Sequence, residues 1–92
     1  MIKAGDIVSW ESQARGSWME KCGTVVAVVP AGENVMPKIP TTAKRSHAKI
    51  SSSVSQYDRA LVAVPAGARG GLTHYYAPRV SVLEVVTQHE TM

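Results

Sequence analysis

The chain has no phenylalanine, a single cysteine, and only five aromatic residues: Trp10, Trp18, Tyr57, Tyr75 and Tyr76. A lone Cys22 excludes an internal disulfide and fits a reducing compartment. No apolar run reaches transmembrane length, and the first residues carry no hydrophobic segment of the secretory kind. The expectation is therefore a cytoplasmic protein with no membrane partner. Acidic residues are missing over one long stretch: none occurs between Glu33 and Asp58, where Lys38, Lys44, Arg45 and Lys49 all lie.

Reaction chemistry is equally sparse. The metal-ligating types Cys22, His47, His74 and His89 stand singly, with no Cys-x-x-Cys or His-x-x-x-His pair. Cys22 reads as a buried thiol behaving as a small apolar residue. Serines abound, but no Gly-x-Ser-x-Gly elbow occurs. Gly67-Ala68-Arg69-Gly70-Gly71 lacks both the spacing of a phosphate loop and a helix to follow it. Among the carboxylates, Glu84 alone sits between apolar neighbours, and strand alternation turns it away from Leu83 and Val85. The expectation is no enzyme, no metal and no cofactor.

What the chain does have is valine in short dense runs. Cys22-Gly23-Thr24-Val25-Val26-Ala27-Val28-Val29 is too short and too β-branched to prefer a helix, and Pro30-Ala31-Gly32 closes it. It reads as the later part of a central strand over 17–29, bent or bulged at Gly23. Ile7-Val8-Ser9-Trp10 precedes it as a strand, joined by the polar loop 11–16. A third strand, Arg59-Ala60-Leu61-Val62-Ala63-Val64, ends at a second Pro-Ala-Gly, 65–67. Thr73-His74-Tyr75-Tyr76-Ala77 is a fourth, stopped by Pro78, and Val80 to Val86 a fifth. Ninety-two residues with strands at this spacing predict one domain, 1–92, an all-β fold of about five antiparallel strands bent into a small barrel. One long, flexible, basic loop interrupts it at about 31–56. Trp10 and Trp18, the largest fillers in a chain without phenylalanine, are expected in the core.

Gly5-Asp6-Ile7-Val8-Ser9-Trp10, a polar loop, and Gly23-Thr24-Val25-Val26-Ala27-Val28 resemble the opening of SH3-like barrels of the KOW type. Gly23 would hold that motif's glycine position. Tyr57-Asp58-Arg59-Ala60-Leu61-Val62-Ala63-Val64 and Tyr75-Tyr76-Ala77-Pro78-Arg79-Val80-Ser81 resemble small uncharacterised proteins encoded by phages and prophages of proteobacteria. The likeness covers about two-thirds of the chain and omits the basic loop. It implies binding of RNA or protein partners, inside a bacterial host cell.

The remaining signal is cationic and aromatic, on a chain of formal net charge +3. Lys38, Lys44, Arg45 and Lys49, with Arg69 and Arg79, can form a cationic rim on one side of the sheet. Tyr75 and Tyr76 are adjacent, so on a strand one packs inward and the other is presented. Such a rim suits a phosphate backbone and an unstacked base, or an acidic protein surface. The leading expectation is an accessory binding protein whose basic loop engages nucleic acid or a nucleic-acid-associated complex. The alternatives are an inhibitor of a host defence complex (anti-CRISPR-like), acting by protein–protein contact, and a minor structural or assembly protein of a phage particle. An exposed edge strand would allow a homodimer.

Overall fold

The computed structural model describes residues 2–14, 16–41, 48–66 and 71–86. Among these residues, five antiparallel strands form one sheet: β1 (Ile7–Ala14), β2 (Ser17–Val29), β3 (Arg59–Ala66), β4 (Leu72–Tyr76) and β5 (Glu84–Val85). Their order is β4-β3-β2-β1-β5, so the longest strand lies at the centre and β4 and β5 form the two edges. No α-helix occurs among the described residues. The all-β expectation holds.

β2 changes neighbours along its length. Residues Ser17 to Thr24 pair with β1, and Thr24 to Val29 pair with β3. The handover falls beside Gly23, whose backbone lies close against β3. A Cβ there would run into the carbonyl oxygen of Ala63 and lie 2.8 Å from Val62 Cγ1 and 2.9 Å from Val64 Cγ2. Only a residue without a side chain allows this approach. The bulge itself is three residues on. Val25 pairs with Val62 and Ala27 with Leu61, leaving Val26 as the extra residue.

That insertion reverses the alternation of β2. Val25 joins Val8, Trp10, Ala60 and Val62 in one cluster, whereas Val29 joins Leu61 and Val35 in another. β3 is consequently covered on both faces, and Arg59, Ala60, Leu61 and Val62 are all buried in succession. Each fully buried Val or Leu contributes about 1.5–3 kcal/mol relative to exposure.

The second cluster is closed by the insertion. Val35 is fully buried, and Ile39 and Ile50 pack on the same cluster. The base of the insertion is tied by Ala31 N–H donating to Asp58 Oδ1 at 2.9 Å, Gly32 N–H to Ser55 O and Val35 N–H to Ser53 O. Its described parts thus lie back on the sheet and supply a layer of core. They are not held away from it.

Three element boundaries differ from the sequence expectation. β1 continues to Ala14 through residues expected as a polar loop, because Glu11 to Ala14 pair in register with Glu20 to Ser17. Pro65 lies inside β3, opposite Thr73. β2 pairs with β3 only as far as Ala63, so that side of Pro65 has no neighbour expecting an N–H. Val80–Val82, expected as strand, is a 3-10 turn, and the fifth strand shrinks to two residues. The donors are taken away from a ladder: Val80 N–H bonds Asp58 O, and within the turn Val82 N–H bonds Arg79 O and Leu83 N–H bonds Val80 O. Tertiary bonding overrides the strand preference of valine here.

Trp18 is a further correction. Trp10 is 7 % exposed and belongs to the core, whereas Trp18 is 66 % exposed. Trp18 shares a hairpin face with Glu20 and Glu11, opposite the face that carries Trp10 into the first cluster. Cys22, expected as a buried thiol, is exposed as well.

Candidate binding surface around Trp10 and Tyr76

The first cluster opens on one side to a group of rings and cations. Trp10 of β1 meets Tyr76 of β4 edge-to-face, with centroids 5.9 Å apart. Lys21, opposite Trp10 in the β1–β2 register, places its ammonium 4.9 Å from the centre of the Tyr76 ring. His74 stands edge-on to the same tyrosine at 6.5 Å.

Beside these rings lies a cavity of about 200 Å³, lined by Trp10, Lys49, Ile50, Ser51, Arg59, Tyr76, Ala77 and Pro78. The insertion forms one wall, fixed by Lys49 N–H donating to Tyr75 O at 2.7 Å. Arg59 forms another. It is 5 % exposed, and its terminal nitrogens donate to Ser52 O at 2.7 Å and Ser53 O at 3.0 Å. Each such charge-assisted bond contributes about 1.5–3 kcal/mol. Arg59 Nε–H has no acceptor among the described residues. The described residues form only two ion pairs, Lys3 with Asp6 and Lys38 with Glu33. Lys21, Lys49 and Arg59 are therefore three cations without a carboxylate partner among the described residues, gathered about one pair of rings.

The expected site residues divide accordingly. Lys49 and Tyr76 come together at the cavity. Tyr75 does not present its ring: both tyrosines are half-buried, Tyr76 on the first cluster and Tyr75 on the second, because both faces of the sheet are covered. Lys38 turns to Glu33, 3.9 Å away within its own segment. Arg79 stacks on Tyr57, with its guanidinium carbon 3.8 Å from the ring centre. Lys44, Arg45 and Arg69 lie outside the described residues. Sequence reasoning missed Lys21, Arg59 and the contribution of Trp10. The pairing of Lys21 with Trp10 is readable only from the hairpin register, and nothing next to Arg59 at the start of the third strand marks it as buried.

A second concave surface, about 460 Å³, lies on the outer face of the hairpin and is lined by Ser9, Trp10, Glu11, Trp18, Glu20, Val82 and Glu84. Glu11 stands directly opposite Glu20, a like-charge pair that costs stability. Glu84 pairs with Ser9 on the neighbouring edge. The two surfaces have opposite charge.

No group of three or more His, Cys, Asp or Glu among the described residues is placed to hold a metal ion. No described helix is long and apolar enough to cross a membrane. Comparison with family models, with curated proteins and with solved structures returns no match.

Proposed function

We propose that this chain is a non-enzymatic accessory binding protein, of the phage or prophage type its sequence resembles, that engages nucleic acid through the Trp10–Tyr76 surface. The observation that carries this reading is the meeting of Lys21, Lys49 and Arg59, all without carboxylate partners among the described residues, at an aromatic pair. Cations meet phosphates, and the part-exposed ring of Tyr76, backed by the buried Trp10, meets an unstacked base, so the combination suits a single strand. The curl that brings β1 to β4 supports the narrower reading of the sheet as an SH3-like small barrel.

Fluorescence polarisation with a labelled single-stranded oligonucleotide, taken through a salt series, tests the proposal. Three phosphate contacts give a log–log slope of about −2, or roughly a twentyfold loss of affinity between 50 and 200 mM salt. Binding that ignores salt, or no binding at 50 mM, would count against it.

A second reading, inhibition of a protein complex by direct contact, is favoured by the hairpin. Trp18 is exposed beside Glu11, Glu20 and Glu84, a setting that suits a cationic side chain of a protein partner. A partner retained from nuclease-treated host lysate, and lost with Trp18→Ala, would favour this reading over the first.

A further inference from the structure

The strongest unexplained feature of the molecule is Arg59. It is a cation with 5 % exposure and, among the described residues, no carboxylate within ion-pairing distance and no acceptor for one donor, Nε–H. A charge removed from water is costly unless paired, and an unmade hydrogen bond adds to that cost. The two carbonyls that it does bond, of Ser52 and Ser53, satisfy its terminal nitrogens without neutralising it.

Arg59 lines the cavity of about 200 Å³ together with Lys49 and Ser51, both of them exposed. The described residues lining it include no carboxylate. Its volume exceeds that of one tetrahedral oxyanion and is too small for a folded partner. We infer that this cavity is a seat for a single phosphate group, held between Arg59 and Lys49 and bounded by Trp10 and Tyr76.

The inference rests on the nucleic-acid reading for the source of that phosphate, and on the cavity alone for its chemistry. An oxygen entering it brings the negative charge that Arg59 lacks. The exposed Lys49 supplies a second cationic contact at the mouth, as a point charge. The two possible sources are an internal phosphodiester and a terminal phosphomonoester.

The test is ¹⁵N NMR of the full chain, following the side-chain Nε–H signal of Arg59 and the backbone signals of Lys49 to Ser51. The probes are inorganic phosphate, an octathymidylate with a 5′-phosphate, and the same strand with a 5′-hydroxyl. The expected result is a saturable shift of these signals with phosphate, and competition between phosphate and either strand. A preference of tenfold or more for the phosphorylated strand assigns the seat to a chain end, and equal affinity assigns it to an internal phosphodiester. Arg59→Met is expected to lower strand affinity at least tenfold. Because Arg59 also anchors the insertion, Lys49→Gln serves as the second variant, with an expected loss of three- to tenfold. Strands that bind with unchanged Arg59 signals would overturn the seat while leaving the nucleic-acid reading standing. A phosphate shift without strand binding would support the seat and remove that reading. No shift with any probe would overturn the seat outright.

Discussion

Trp10 and Tyr76 touch across the sheet, 5.9 Å between ring centres, although two strands separate theirs in the hydrogen-bonded order. In a flat sheet, three strand spacings would hold them about 14 Å apart. The contact therefore requires a strongly curled sheet. Gly23 and the Val26 bulge, both on the central strand, are where β2 passes from one neighbour to the next and bends.

The two tryptophans should separate cleanly in stability. Trp10→Ala removes a buried ring from the first cluster and is expected to cost about 3–5 kcal/mol. Trp18→Ala removes an exposed one and should change stability by no more than about 0.5 kcal/mol. Urea denaturation of both variants checks this, and similar losses for the two would contradict the packing described.

Gly23→Ala is expected to destabilise by about 1–3 kcal/mol, because the new methyl meets a backbone carbonyl as well as two valine side chains. The loss should appear as a lower urea midpoint. A neutral result would show that β2 and β3 can separate freely at this point.

Among the described residues, Asp6 is the group whose ionisation departs clearly from its ordinary value. The hydrogen bond from the Lys3 ammonium, and then that from the Lys3 backbone N–H, hold its carboxyl below the usual aspartate value of about 3.9. A folded pKa below the unfolded one stabilises fully above the unfolded value, and the contribution is lost as pH falls through the folded value. Asp6→Asn should therefore lower the urea midpoint at pH 7, with the difference from the parent chain shrinking below pH 4. A difference that grew on acidification would have the wrong sign.

Lys21→Gln and Lys49→Gln should each reduce the steepness of the salt dependence of single-strand binding, by about 0.7 in the log–log slope. Lys38→Gln should leave it unchanged, since Lys38 already faces Glu33. Equal effects at all three positions would point to diffuse attraction by net charge.

Much of the sheet was legible from local pattern alone. The valine runs and the turns between them placed β2 at Ser17–Val29 as expected, and set β3 and β4 to within two residues at each end. The close approach at Gly23 was readable for the same reason, since glycine inside a valine run has few other uses. The bulge one turn of alternation later was not, because nothing in Val25-Val26-Ala27 distinguishes the residue left out of the pairing. Trp18 was misplaced because size does not say which face of the hairpin a ring takes, and the register turns it away from the side that Trp10 fills. The surface was half legible: Lys49 and Tyr76 carried a visible signal. Arg59 and Lys21 acquire meaning only from the register and from the insertion folding back, which are long-range facts that composition does not encode.

The most direct test of the binding surface is a map of backbone and indole amide shifts on titrating a single-stranded oligonucleotide into ¹⁵N-labelled protein at low salt. The account predicts the largest changes at the Trp10 indole, Lys21, Lys49 to Ser51, Arg59 and Tyr76, with the Trp18 indole unmoved. Changes centred on Trp18, Glu11 and Glu20, or none at all, would contradict it.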